Sequence, residues 1–220
     1  MANNVQVKCS LHPREHNDYS FIIHQIKVPM ARPSRKTEIQ EKIFNAAFEL
    51  MANGGLQQSP MSKLAAQAQV SVGTIYLYFP SKERLIEALF EHLQTEMEQA
   101  VLLGYRADAD FRARFKKLFL NMCDYYYNHR NHFFFMDMTI SSVASHGLEA
   151  FSPKVQKVFR SFYEEGIKNQ ILRDINFENL LSIIHGPIVS IFKKHHNGRI
   201  KITTDNLVEL QECIWNAIRF

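Results

Sequence analysis

The sequence predicts an all-α chain, and three observations predict it. Glycine and proline are scarce, 8 and 7 of 220 residues, so few positions break a helix. Leu, Ile, Phe and Ala are plentiful and recur at three- and four-residue spacing, the period of one buried helical face. Helix start and stop signals punctuate these runs, with Ser or Thr ahead of them and Gly or Pro behind.

Residues 1–29 stand apart. They mix polar residues, His and Pro with one short apolar patch, Phe21 to Ile26, and sustain no helical period. Two readings stay open: an upstream extension with the natural start at Met30, or a genuine flexible arm. A first helix is expected from Thr37, where Thr37 and Gln40 have the spacing of a capping box. Ile39, Ile43, Ala46, Ala47, Leu50 and Met51 form its apolar stripe, and Asn53-Gly54-Gly55 stops it. Ser59 is expected to cap a second helix, with Pro60 in its first turn. Met61, Leu64, Ala65 and Ala68 line its narrow apolar face. Ser71 caps a very short third helix that ends at Phe79, because Pro80 pushes the preceding residue out of helical geometry. Ser81 caps a long fourth helix with Leu85, Leu89, Leu93, Met97 and Val101 inward. Five more helices are expected at 108–129, 131–142, 152–170, 176–195 and 204–219. Ser152-Pro153 starts one of them, and Asn197-Gly198 ends another. Gly166 is an internal, slightly costly position, and Pro187 implies a kink.

Composition excludes several classes. Charged residues are 22% and hydrophobic residues 46%, ordinary for a soluble globular protein. Three scattered cysteines, Cys9, Cys123 and Cys213, fit neither a disulfide framework nor a structural zinc site and suit a reducing cytoplasm. No apolar run approaches the ~18 residues of a membrane span, and the N-terminus lacks a secretory pattern. There is no Gly-rich phosphate loop, no Gly-x-Ser-x-Gly and no recognisable carboxylate pair, so no enzyme and no catalytic residue is expected. Ser190-x-x-Lys193 matches a penicillin-binding pattern by letters only. His129-x-x-His132 and Cys9-x-x-His12-x-x-x-His16 are incomplete ligand sets, so neither a metal nor a cofactor is expected. His195-His196 complements a helix dipole.

The two short helices Met61–Ala68 and Val72–Phe79, joined by a three-residue turn, meet the requirements of a helix-turn-helix. Ala65 is the small residue at the crossing, Val70 points inward from the turn, and Ile75 anchors the second helix. The outer face of that helix is then free to enter a DNA major groove. Between residues 30 and 85 there are seven basic and four acidic residues, so most of the net charge of +4 sits in about a quarter of the chain. Arg32, Arg35 and Lys36 precede the first helix as either an arm on the DNA or a solvated tail.

These residues resemble the TetR family of bacterial transcriptional regulators. The likeness is carried by Leu64-Ala65, Ala68-Gln69-Val70-Ser71, Gly73-Thr74-Ile75-Tyr76-Leu77-Tyr78-Phe79 and Ser81-Lys82-Glu83, with the helix IFNAAFELMANGG ahead of them. It is strong over about residues 35–90. It implies a three-helix DNA-binding domain over 30–80 and a larger helical ligand-binding and dimerisation domain over 81–220. It also implies roles for matched residues. Ser59 and Ser71 would offer donors to phosphates. Val72, Gly73 and Thr74 would face base edges. Tyr76 and Tyr78 would lie along the backbone with Lys82, while Phe79 joins the core. Arg32 and Arg35 complete the expected DNA contacts. Two positions depart from the pattern. Gln69 replaces the common turn Gly, at a cost of ~1–2 kcal/mol if left-handed. Val72 offers a methyl contact to thymine but no hydrogen bond to a base.

The C-terminal part is rich in rings: Phe111, Phe115 and Phe119, then Tyr125 to Tyr127 and Phe133 to Phe135. They can fill a core or line an apolar pocket. Tyr125, Met138, Phe162 and His185 are the expected pocket residues. A single short recognition helix reads few bases, so a two-fold homodimer on a palindromic double-stranded operator is expected. Leu181, Ile184, Ile188, Ile191, Leu210, Ile214 and Ile218, from the last two helices, are the expected interface, packed as a four-helix bundle. A small apolar or amphipathic effector would move the fourth helix and release a repressor from DNA. The rival expectation is a DNA-binding protein of this fold whose helical domain binds a protein and has no inducer.

Overall fold

The computed structural model describes residues 35–52, 59–142 and 151–220, with side chains placed over 37–50, 59–137 and 151–220. Expectations on residues 1–29, Arg32, the Asn53-Gly54-Gly55 stop and the side chains of Arg35 and Met138 lie outside the described residues. Among the described residues the chain forms nine helices and one isolated antiparallel bridge, Leu172 to Arg219.

Local chemistry sets most helix ends. α1 (Arg35–Ala52) begins two residues before the expected start, since Arg and Lys enter a helix at little cost; Thr37 therefore sits inside its first turn. α2 (Met61–Ala68) follows Pro60, which is itself the N-cap, with φ −67° and ψ 152° and no side-chain capping bond. The expected Ser59 cap is thus corrected: extended Pro60 defers the helix by one residue and leaves Ser59 outside it. α3 (Val72–Tyr78) is capped by Ser71, and Phe79 is its extended C-cap. α4 (Lys82–Val101) is capped by Ser81. α5 (Phe111–Asn128) starts at Asp110, whose carboxylate accepts the Ala113 N–H. α6 (Arg130–Ser142) follows directly. α7 (Pro153–Lys168) has the expected Ser152 cap and Pro153 at its first position. α8 (Phe177–His196) runs continuously through Pro187 and ends at Asn197, with Gly198 at φ +70°. α9 (Thr204–Ile218) opens on a capping box of Thr203 and Asn206.

The core follows the apolar stripes. Leu85, Leu89, Leu93, Met97 and Val101 on α4 are all buried, as the four-residue spacing predicts. α1 packs on α2 and on α6; Phe48 meets the Phe135 ring edge-on at 5.5 Å. Phe111 and Phe162 stack with centroids 4.0 Å apart, and Trp215 lies 5.3 Å from Phe115. Arg114 is buried beside this stack, 5.1 Å from the Phe111 centroid. Its guanidinium grips Glu165 with two bonds, one from Nη1 to Oε2 at 2.8 Å and one from Nη2 to Oε1. That fork holds α5 to α7 and keeps the Glu165 carboxyl below its ordinary range.

α4 is held on several sides. Its Val101 carbonyl, with that of Leu103, accepts from the Asn121 amide of α5 at 2.8 and 2.9 Å. Glu98 accepts from the Ser152 hydroxyl at 2.7 Å and from Lys154 at 3.0 Å, so the start of α7 is fastened to the second half of α4.

Candidate nucleic-acid interface

The α2–α3 unit is built on four buried contacts: Leu64, Ala65, Ala68 and Ile75. Between the helices, Gln69 is left-handed, with φ 56° and ψ 42°. Its N–H bonds the Ala66 carbonyl at 3.2 Å, and the Val70 N–H reaches back to Ala65 at 3.0 Å. These close a Schellman-type end, the geometry Gly normally serves. Val70 turns in against the core.

Ser71 organises the start of α3. Its Oγ accepts the Thr74 N–H at 2.9 Å and lies 2.7 Å from the Thr74 hydroxyl. Ile75 is fully buried, and Phe79 is buried 5.5 Å from the Phe44 ring of α1. Anchored there, α3 turns Ser71, Val72, Gly73 and Tyr76 outward, with Tyr76 47% exposed. Thr74 and Tyr78 are half-buried. Leu77 is 85% exposed and was not among the expected contacts. Helical spacing alone marks it: two residues after Ile75 is about 200° round the helix, the opposite face.

Ser59 and Lys82 form one element of the site. Ser59 is buried, and its carbonyl accepts from Lys82 Nζ at 3.0 Å. An ammonium has three donors, so Lys82 can hold this carbonyl and still face a phosphate. Beside it, bonding to the Ser81 hydroxyl holds the Glu83 carboxyl below its ordinary range. Arg84 pairs with Glu87 at 2.7 Å, whereas Lys63 on α2 is exposed.

In the larger domain three of the four expected pocket residues, Tyr125, Phe162 and His185, have described side chains. Tyr125 is buried with its hydroxyl 3.1 Å from His132 Nδ1. His185 Nε2 lies 2.8 Å from the Tyr126 hydroxyl, and Tyr125 and Tyr126 are ring neighbours at 6.3 Å. Phe162 instead belongs to the Phe111 stack. Burial pushes the His185 imidazole down to about 4, with the Asp137 carboxylate pulling the other way, so the ring is neutral at pH 7. Burial pushes the Cys123 thiol far up, which makes it an inert core residue. A shallow hollow at the end of α8 is lined by Ser190, Lys193, Lys194, Asn197 and Arg199, a polar set unlike the expected apolar one.

The expected dimer set divides as well. Ile188, Ile214 and Ile218 are buried in the chain's own core, which corrects their assignment to an interface: a residue already sealed inside one chain has no surface to offer a second. Leu181, Ile184, Ile191 and Leu210 are half-buried. Among the described residues no helix is long and apolar enough to cross a membrane.

Residues 43–89 match the family model of bacterial regulatory proteins of the tetR family, and residues 90–220 match that of the tetracyclin repressor-like C-terminal domain. An uncharacterised HTH-type transcriptional regulator of Haemophilus influenzae is 49% identical over 67 residues, covering 30% of this chain and 35% of that protein. The fatty acid metabolism regulator protein of Bacillus subtilis is 50% identical over 50 residues, 23% of this chain and 26% of that protein. The nucleoid occlusion factor SlmA of Haemophilus influenzae is 22% identical over 105 residues, 47% of this chain and 48% of that protein. The chain thus spans well under two thirds of the curated relatives it matches. A TetR-family regulator structure from Vibrio parahaemolyticus covers 83% of this chain and 99% of its own, at 26% identity and TM-score 0.65. One from Marinobacter aquaeolei covers 84% and 97% at TM-score 0.70, and at 18% identity it shares the fold. With both halves matched in order around an α2–α3 unit of this geometry, the chain belongs to the TetR family of DNA-binding transcriptional regulators.

Proposed function

We propose that the protein is a dimeric, ligand-responsive repressor that binds a palindromic operator through α3 and is released by a small, largely apolar molecule. The observation that carries this reading is the division of α3. Ile75 and Phe79 lock it to the core, while Ser71, Val72, Gly73 and Tyr76 are turned outward. In this reading Val72, Gly73 and Thr74 meet base edges. Tyr76, Tyr78, Ser71 and Lys82 position the helix on phosphates, with the segment holding Arg32 and Arg35 as an arm. Ser59 acts through its carbonyl on Lys82.

One α3 reads too few base pairs for a unique site, so two copies related by a two-fold axis are required, with recognition helices about 34–36 Å apart. Leu181, Ile184, Ile191 and Leu210 are the apolar residues of α8 and α9 with surface left for that contact. The effector would seat near Tyr125 and His185, with Phe162 and Met138 completing the expected pocket set, and act through α4, which spans from Lys82 beside the helix-turn-helix to Val101 in the larger domain. A coupling of ~1–3 kcal/mol would make a useful switch.

A second reading has a specific support. Tyr125, Tyr126, Phe133, Phe162 and Phe192 are all buried among side chains, and a relative is named a nucleoid occlusion factor. If these rings fill the domain and leave no pocket, the chain would suit a DNA-binding protein whose helical domain docks a protein and has no inducer.

Footprinting of the purified chain on DNA upstream of its own gene, across salt concentrations, tests the proposal. A protected palindrome is expected. Steeply salt-dependent binding without a protected site, or no binding at low salt, would overturn it.

A further inference from the structure

The helix-turn-helix side of the molecule meets the larger domain at a knot of three imidazoles and one carboxylate. α4 supplies His92 and Glu96, with His92 Nε2 3.3 Å from Glu96 Oε1. α6 supplies His132, whose Nδ1 lies 3.3 Å from Glu96 Oε2 and 3.1 Å from the Tyr125 hydroxyl of α5. His129, between α5 and α6, stacks on His132 with centroids 5.2 Å apart and bonds the Tyr125 carbonyl through Nδ1 at 3.0 Å. α1 closes the knot with rings. Phe48 lies 4.5 Å from His132, and Phe44 lies 4.9 Å from His92.

The packed arrangement suits a neutral His132. Its side chain is 15% exposed, and what α1 presents to it is the apolar Phe48 ring. Burial pushes the imidazole down to about 4; the Glu96 carboxylate pulls it up, and His129 and His92 push it down. For Glu96, burial raises the carboxyl, yet the His92 bond and the surrounding imidazoles hold it below the ordinary range. Among the described residues no group of three His, Cys, Asp or Glu is placed to hold a metal.

We propose that His132 is a proton-operated latch: protonation of its imidazole loosens the contact of α1 with α6 and thereby frees the helix-turn-helix to reorient against the larger domain. A neutral ring fits between Phe48 and His129. An imidazolium there must be stripped of water and set beside two further imidazoles, with a single carboxylate to offset them. A conformation in which His132 leaves Phe48 and meets water protonates near the ordinary 6.5 of a histidine, whereas the packed one resists until about 4. Acid therefore favours the loosened state. For this one group, the ratio of loosened to packed forms rises about tenfold between pH 7.5 and pH 5.5. The consequence for an operator rests on the DNA-binding reading; the latch itself does not.

The test uses the full chain without DNA, so its result stands whether or not an operator exists. Imidazole NMR follows the titration of His132. Amide exchange over Ile43–Leu50 of α1, corrected for intrinsic rates, is compared at pH 7.5 and 5.5 in the wild type, His132→Gln and His185→Gln. The expected result is a His132 midpoint well below 6.5 and an about tenfold loss of α1 protection in the wild type and His185→Gln. His132→Gln should show little loss. A His132 midpoint at 6.5 or above, unchanged protection in the wild type, or an equal loss in His132→Gln would each overturn the proposal. Should His132→Gln not fold, the wild-type titration and exchange decide alone.

Discussion

Lys82 Nζ donates to the Ser59 carbonyl oxygen across 3.0 Å, tying the first turn of α4 to the residue ahead of Pro60 and α2. The ammonium is thus held at the edge of the helix-turn-helix. Lys82→Met keeps the apolar stem and removes the donors. Measured as affinity against salt concentration, it should weaken DNA binding by about 3- to 10-fold and lower the salt slope by about one ion. An unchanged slope would mean that Lys82 meets no phosphate.

At Gly73 the proposed DNA contact separates cleanly from folding. A Cβ there would meet only Ser71 Oγ, at an ordinary 3.7 Å, and Ala favours a helix by up to about 1 kcal/mol over Gly. Gly73→Ala should leave the melting temperature unchanged or raised, yet cost at least about tenfold in operator affinity, roughly 1.4 kcal/mol. Undiminished affinity would place the backbone of residue 73 away from the bases.

The left-handed Gln69 is a local liability. Replacing it with Gly removes the Cβ penalty at φ 56°, offset in part by a looser unfolded chain. Gln69→Gly should stabilise the chain by about 1 kcal/mol in urea unfolding. A destabilised variant would show that the Gln69 side chain contributes more than its conformation costs.

The face of α3 was legible in the sequence because one short element carries all the signals. Ile75 and Phe79 fix the inner side, and Tyr76 then has to be outside. The Ser59 cap failed for a reason of the same scale, since the φ of Pro suits both an N-cap and a first helical position. The larger domain was legible as helices and hardly beyond that. Ile184, Ile188 and Ile191 share chemistry and helical spacing, yet only Ile188 is sealed in. Which apolar stripe meets its own chain and which meets another depends on neighbours distant in sequence. The partners Arg114 and Glu165, 51 residues apart, carry no local signal of each other.

Gly166 is fixed by close approach. A Cβ on it would lie 2.5 Å from Leu172 Cδ1 and 2.8 Å from Phe111 Cζ. Gly166→Ala gains helix propensity but drives α7 off the Phe111 stack, so the net effect should be a loss of about 2 kcal/mol. Chemical denaturation measures it, and a more stable variant would show that Leu172 yields freely.

His132 and His185 both make the fold sensitive to acid. Both imidazoles are lowered to about 4 in the fold, so the unfolded chain binds more protons below 6.5. Stability is then full above about pH 6.5 and falls as pH drops toward 4. Denaturation midpoints at pH 7.5, 5.5 and 4.5 should decline in that order, less steeply in His185→Gln than in the wild type.

The buried residues of α4 recur every fourth position, from Leu85 to Val101, while the helix turns about 100° per residue. Each step overshoots a full turn by about 40°, so from first to last the seam winds about 160° around the axis. Its two ends look in nearly opposite directions. A neighbour seated on Leu85 and one seated on Val101 therefore hold α4 from opposite sides.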